Sequence, residues 1–184
     1  MGQKYATYNA QGAITGYYDS VDSPVPDGVT AIEICEAQWQ AAIGGGYTVA
    51  NGVLVPPAAP TPAQLLAAAQ ASQSALVDSA YYNAIQQSVG FKTAGGATET
   101  FEADAASQTL VMQTTQGYQI AGATPPGFFW KAADNTEVPF TLADLQGLYL
   151  AILAQGWAAF QKRSTLKAEI AAATTVAAVQ AITW

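Results

Sequence analysis

Histidine is absent from the chain, and with it go the usual general base, the commonest metal ligand and the side chain that titrates near neutral pH. Catalytic arrangements of the Ser-His-Asp or Cys-His kind are thereby excluded. A single cysteine, Cys35, rules out a disulfide within the chain. It ends the alternating run Ala31-Ile32-Glu33-Ile34-Cys35, and no electropositive neighbourhood is visible around it, so a buried and unreactive thiol is expected. Charge is also scarce, at 10% of the residues against roughly 25% in an ordinary soluble domain. The net charge is −7 with only 6 basic residues, three of which, Lys162, Arg163 and Lys167, crowd one stretch. A nucleic-acid partner is not expected from such a balance. Met1-Gly2-Gln3-Lys4 leads into a strand without an apolar signal core, so no export leader is expected. The most apolar window, Leu142 to Phe160, is interrupted by Asp144, Gln146, Gln155 and two glycines, and reads as a packed helix rather than a membrane span.

What the chain does have is a proline seam, Val55-Pro56-Pro57-Ala58-Ala59-Pro60-Thr61-Pro62, that separates two kinds of sequence. Upstream lie short aromatic and β-branched runs broken by Gly, Asn and Asp. Downstream lie long Ala- and Gln-rich helical stretches with short strand pairs between them. The expected fold class is α+β: a small N-terminal antiparallel β-module with one short helix (1–56), a Pro/Ala linker (57–62), and a mainly helical domain carrying two β-hairpins (63–184). A module of the first size buries too little surface to be comfortable alone, and is expected to lean on a partner.

In the first module, Lys4 to Tyr8 and Ala13 to Tyr18 flank Asn9-Ala10-Gln11-Gly12 and read as a hairpin, because Asn and Gly supply the positive φ that tight turns demand. Val29 to Cys35 reads as a strand and Glu36 to Ile43 as a short helix carrying Trp39. Tyr47 to Val55 contains Asn51-Gly52 between β-formers, a second hairpin signal. After the seam, Thr61-Pro62 is a good helix start, with a run expected to about Val89 whose residues Leu65, Leu66, Ala69, Leu76, Val77, Ala80, Tyr81 and Ile85 form one packed side. Gln70 and Gln73 interrupt it as polar residues. Phe91–Thr93 with 98–101 forms a strand pair, Asp104 caps a helix to about Ile120, and 128–131 with 136–140 forms another hairpin. Thr141 with Asp144 resembles a capping box at the start of the last long helix.

That helix carries the seam Leu142, Leu145, Tyr149, Ile152, Gly156, Ala159, Arg163, Leu166, Ile170 and Ala173, spaced by threes and fours. Such a stripe from Leu142 to Ala173 serves either intramolecular packing or self-association. Packing within the chain is the first reading, because Leu148, Leu153, Trp157 and Phe160 add a second apolar side, and a helix apolar on two sides is expected to be covered on both. Thr174 or Thr175 caps a final short helix, and Trp184 is expected to dock into its own fold.

Candidate chemistry is thin. Glu99, Glu102 and Asp104 form an acidic cluster that could suggest a carboxylate pair, but capping and solvation account for it more simply. Asp19, Asp22 and Asp27 lack calcium-loop spacing and read as turn residues. No catalytic residue, metal site or cofactor is expected. Trp130 with Asp134 and Asn135, on a hairpin tip, has the residue types of a sugar site, and equally those of a packed Trp beside a polar turn.

The N-terminal pattern of Tyr17-Tyr18-Asp19, the run Pro26-Asp27-Gly28-Val29-Thr30-Ala31-Ile32-Glu33-Ile34, Trp39, Tyr47 and Asn51-Gly52-Val53-Leu54-Val55-Pro56-Pro57 resembles the N-terminal part of tail-fibre assembly proteins of tailed bacteriophages. The remainder, through Phe91 to Phe101, Gln108, Trp130-Lys131-Ala132-Ala133-Asp134 and Leu166 to Thr175, is similar to an uncharacterised domain that recurs in phage and prophage tail proteins. The resemblance implies a non-catalytic protein that binds a trimeric tail fibre and assists its folding in the host cytoplasm, in some members staying on the virion tail. The alternative is a permanent structural or glycan-binding tail component. For fibre contact the candidate residues are the aromatics Tyr5, Tyr8, Tyr17, Tyr18 and Trp39, since Tyr and Trp carry interface energy disproportionately. Alternation sends Tyr17 and Tyr18 to opposite faces, so one of that pair is expected to face a partner.

Overall fold

The computed structural model describes residues 2–184, which divide into two units, one ending at Pro60 and the next beginning at Thr61, inside the proline seam. The expected α+β architecture is present in both.

The N-terminal unit is built on β1 (Lys4–Tyr8), β2 (Ile14–Asp19) and β3 (Ala31–Ile34), an antiparallel sheet in the order β2-β1-β3. The turn between β1 and β2 depends on Gly12, whose φ is 78° and whose missing Cβ makes room for the Val49 carbonyl. Asn9 closes the same turn, its side-chain oxygen accepting from the N–H groups of Gln11 and Ala13 at 3.0 Å each. Helix α1 (Glu36–Ile43) follows β3 at once, and β4 (Thr48–Ala50) pairs with β5 (Val53–Val55) around Asn51-Gly52. Both turn residues have positive φ, 52° and 74°, as a tight hairpin turn requires. The buried apolar side chains here are Ala6, Ile34, Ala42, Val49 and Leu54, with Tyr8, Ile14, Tyr17, Ile32, Trp39 and Tyr47 packed against them.

Cys35 departs from expectation. The strand ends one residue earlier, and Cys35 is the exposed N-cap of α1, its Sγ accepting the Gln38 N–H at 3.4 Å while Gln38 Oε1 accepts the Cys35 N–H at 2.8 Å. The alternation that suggested burial stops because the backbone turns into the helix.

The C-terminal unit has α2 (Pro62–Ala84), the hairpin β6 (Val89–Lys92) with β7 (Thr98–Phe101), α3 (Ala105–Ala121), the hairpin β8 (Phe129–Lys131) with β9 (Glu137–Pro139), α4 (Leu142–Ala172) and α5 (Val176–Gln180). Helix α2 stops at Ala84 rather than near Val89, because Val89 and its neighbours are drawn into β6 against Phe101. Each longer helix starts on the expected cap: Thr61 and Thr141 in reciprocal boxes with Gln64 and Asp144, and Asp104 accepting from the Ala106 and Ser107 N–H groups.

At 31 residues, α4 is about 46 Å long and runs through two separate cores. Its first half packs with both hairpins and α3 around Phe101, Val111, Val138, Phe140, Leu145, Leu148 and Ile152, where Phe101 and Phe140 meet edge to face at 5.2 Å. Its second half packs with α2 and α5 around Val77, Ile170 and Val179, and Trp184 closes that core as expected. Asp144 ties the first core together. Its Oδ2 accepts from Thr141 and its Oδ1 from the Ala94 N–H at 2.7 Å, so the helix start is fastened to the β6–β7 turn. Burial pushes this carboxyl up, but the hydrogen bonds from Thr141 and Ala94 outweigh it and hold the group below the usual carboxylate range.

Gln70 and Gln155, read as polar interruptions, turn out to cap helix ends, and Gln108 does the same. Gln70 donates from Nε2 to the Ile170 and Ala173 carbonyls, both at 3.1 Å, at the end of α4. Gln108 donates to Ile85 O and Ala103 O at 2.7 Å, and Gln155 to Ala84 O and Gln87 O at 3.1 and 2.8 Å, so two side chains from other helices satisfy the end of α2. Helix C-termini leave carbonyls without partners, and a neutral amide satisfies two of them without burying a charge.

Candidate protein-interaction surfaces

In the N-terminal sheet the register sorts the aromatic candidates. Ala6 lies opposite Tyr17 and Ile32, on the face covered by α1, and the Tyr17 hydroxyl donates to the Ala42 carbonyl at 2.7 Å. Desolvation, with a smaller contribution from Tyr47, raises the pKa of that phenol. Tyr8 and Trp39 pack against the same core. The Trp39 ring carries the Lys4 ammonium at 4.5 Å from its centroid, while its Nε1 is buried without a hydrogen-bond partner among the described residues. Lys4 also binds Asp19 at 2.6 Å and Glu36 at 3.7 Å. The hydrogen bond from Lys4, with those from the Val21 and Asp22 N–H groups, holds the Asp19 carboxyl down to about 2, and Asp19 in turn raises the Lys4 pKa.

Tyr5 and Tyr18 are on the other face, directly opposite each other across β1 and β2, with Glu33 on the far side of Tyr5. The Tyr18 ring lies over Gly16, where a Cβ would come within 2.9 Å of it. The glycine lets the phenol lie along the sheet. Next to Tyr5, on the β3 side, a hollow of about 440 Å³ is lined by Tyr5, Ser20, Pro24, Val25, Ala31 and Glu33. Of the five aromatic candidates, therefore, Tyr8, Tyr17 and Trp39 belong to the unit's own core and Tyr5 and Tyr18 to its outer face.

The C-terminal unit presents a surface that corrects the expectation for α4. The seam from Leu142 to Ala173 is turned inward, with Leu145, Ile152, Ala159 and Ile170 buried. Of the second side, Leu148 is buried, but Leu153, Trp157 and Phe160 are 49%, 60% and 43% exposed and Leu150 is 63% exposed. The helix is covered on one side and bare on the other. Trp157 and Phe160 stack with ring centroids 5.7 Å apart and planes at 19°, forming a ridge. Next to it a groove of about 600 Å³ is lined by Tyr81, Ile85, Gln108, Ile152, Leu153, Gly156, Trp157 and Phe160. The offset spacing Leu150, Leu153, Trp157, Phe160 was the available signal for this face. On α2, likewise, Val77 is buried and Leu66, Ala69, Ala80, Tyr81 and Ile85 are half-buried, but Leu65 and Leu76 are 50% and 59% exposed, so the expected packed side is only partly used.

The remaining candidates serve local structure. Trp130 stacks on Phe140 at 6.4 Å and lines a hollow with Glu102, Ser107, Leu110, Phe129 and Lys131. Asp134 accepts the Thr136 N–H at 2.9 Å, which lowers its pKa, and Asn135 is the turn residue with φ 69°. Neither Asp134 nor Asn135 lines the Trp130 hollow, so the three are not brought into one site. Asp104 is held below the usual carboxylate range first by the Ser107 N–H and hydroxyl, in keeping with a cap. Asp78 receives both Lys167 and Arg163, at 2.8 and 2.6 Å, fastening α2 to α4, and Lys162 lies over the Trp184 ring at 4.8 Å. Among the described residues no three Cys, Asp or Glu side chains are grouped to hold a metal ion, and none of the helices is long and apolar enough to cross a membrane.

Comparison with known proteins finds that a family model described as a domain of unknown function, DUF4376, matches residues 68–183. No curated protein and no solved structure matches the chain. The matched span takes in most of α2 and all of the hairpins and helices after it, so the chain belongs to the DUF4376 family.

Proposed function

We propose that this chain is a non-catalytic protein that binds a bacteriophage tail fibre, assists its folding and trimerisation in the cytoplasm of the bacterial host, and makes that contact through the outer face of the N-terminal sheet. The resemblance of the first third to tail-fibre assembly proteins supplies the partner. The observation that carries the surface is the pairing of Tyr5 with Tyr18 on the side of the sheet away from α1. A phenol laid flat over Gly16 beside a second phenol is a preorganised apolar platform with polar tips, the kind of feature on which interface energy concentrates. The unit's small buried set, two members of which are alanines, fits a module that gains stability by docking. Scarce charge suits a surface that shields apolar or strand-edge groups of a β-rich chain until its trimer closes.

The test is co-expression with the fibre chain, followed by size-exclusion chromatography with light scattering. Soluble trimeric fibre is expected only when this protein is present. Replacing Tyr5 and Tyr18 by Ala is expected to weaken binding by about tenfold or more, as for hot-spot residues. A fibre that trimerises equally well alone and never co-elutes with this chain overturns the reading.

A further inference from the structure

The exposed side of α4 has no role in the fibre contact described above, and its shape suits a different occupant. Leu150, Leu153, Trp157 and Phe160 are spaced 3, 4 and 3 residues apart, the a/d spacing of a helix seam, and face solvent along two turns and more. From Leu145 to Gln161 the helix carries no charged residue. The projecting ridge of Trp157 and Phe160 and the groove beside Gly156 share this face, and a Cβ built on Gly156 would meet nothing within 4 Å. A ridge that forms one wall of a hollow can interlock with a copy of itself under a two-fold axis, the arrangement an isologous contact needs.

We propose that a second copy of this chain occupies the groove, the Trp157–Phe160 ridge of each copy lying in the hollow formed by Tyr81, Ile85, Ile152 and Gly156 of the other. The area is consistent with a dimer. The four exposed side chains leave on the order of 400 Å² on each copy, within the roughly 300–600 Å² of the largest apolar patch on a typical monomer, a patch that is often functional. Pairing two copies removes on the order of 800 Å² from these alone, and about 100 Å² more per copy from the groove walls reaches the roughly 1,000 Å² at which a specific interface begins. Buried area does not fix affinity, and a contact at the lower edge of specific interfaces is sought as a weak one, in the micromolar range. The absence of charge from the patch matters here, because each copy carries a net −7 that an acidic seam would bring into contact.

Sedimentation equilibrium on the whole chain, over about 1 to 200 μM where a micromolar contact would assemble, is the measurement. The weight-average mass is expected to rise from 19.0 kDa toward twice that value. Leu150→Arg and Trp157→Glu, each on the exposed face, are expected to raise the dissociation constant at least tenfold with an unchanged circular dichroism spectrum. Ile120→Glu, on α3 and 91% exposed, is expected to leave it unaltered. Should Trp157→Glu disturb the fold, Leu150→Arg carries the test. A chain that remains monomeric throughout the range, or a mass curve that neither α4 variant moves, overturns the proposal. Because the readout involves no fibre, it stands or falls independently of the fibre contact.

Discussion

Replacing Gln108 by Glu is the sharpest probe of how the C-terminal unit is held together. The substitution keeps the shape of the side chain and exchanges the amide nitrogen, which donates to Ile85 O and Ala103 O at 2.7 Å, for an oxygen that can only accept. Two hydrogen bonds at about 0.5–1.5 kcal/mol each are lost, and the negative end of α2 now faces a carboxylate, an adverse helix-dipole contact of up to about 1 kcal/mol. Rotation of the carboxylate toward water limits the total to about 2–3 kcal/mol. For a domain of this size that corresponds to a fall of very roughly 5–12 °C in Tm. The effect also has a pH signature. Proximity to carbonyls raises the folded-state pKa of the introduced glutamate above its unfolded value, so the protonated form is favoured in the fold and the penalty grows as pH rises through that range. Urea unfolding of wild type and Gln108→Glu side by side is expected to show a difference near pH 7 that narrows below about pH 4.3, the unperturbed glutamate pKa. A variant within about 0.5 kcal/mol of wild type at pH 7 would refute the capping role, and so would a deficit that is the same at both pH values.

Two glycines of α4 are expected to respond in opposite directions to alanine. Gly147→Ala drives a Cβ to within 2.7 Å of the Phe91 ring, and Phe91 is confined by Phe101 and Phe140, so overpacking of about 1–3 kcal/mol exceeds the helix-propensity gain of about 1 kcal/mol. Gly156→Ala meets nothing and is expected to stabilise the fold by up to about 1 kcal/mol while partly filling the notch and weakening self-association. Urea midpoints decide it, and shifts of the same sign would show that the local packing has been misread. In the N-terminal unit, the Asp19 carboxyl, held down to about 2, contributes stability that is present above its unfolded value and is lost as pH falls through that range. An acid titration followed by near-ultraviolet circular dichroism is expected to show loss of tyrosine signal in that window for wild type. Asp19→Asn, whose contact with Lys4 no longer titrates, should show a smaller change there, and identical acid profiles would remove Asp19 from the account.

What could be read from the chain and what could not divide along the range of the interactions concerned. The caps at Thr61, Asp104 and Thr141 join a side chain to backbone two or three residues on, so residue type and spacing suffice to place them, and for α5 they narrow the cap to Thr174 or Thr175, of which Thr175 serves. The C-terminal caps join residues far apart. Gln70 reaches across 100 and 103 positions, Gln73 across 109 to Ile182 O, and Gln155 across 71 and 68. Before the helices are packed, such a glutamine is indistinguishable from a polar residue facing water.

The two sides of α4 show the same limit for apolar residues. Leu145, Ile152 and Ala159 obey the 3–4 spacing, and so do Leu150, Leu153, Trp157 and Phe160, because periodicity says which side chains share a face and nothing about what covers it. The first stripe is buried because α2, α3 and β6 lie against it. The second has no such neighbour among the described residues of its unit. On the N-terminal sheet, alternation places Tyr17 and Tyr18 on opposite faces, and α1 together with the β4–β5 hairpin decides which of them becomes core. In both units, then, local pattern proposes faces and tertiary packing selects among them. The half-buried pair Tyr5 and Tyr18 and the exposed Trp157–Phe160 ridge are the aromatic surfaces left outside the cores, and they are the ones to which the proposed contacts are assigned. In the contacts proposed, aromatic area rather than charge supplies the affinity, so truncating those side chains, more than altering any carboxylate, is the decisive perturbation.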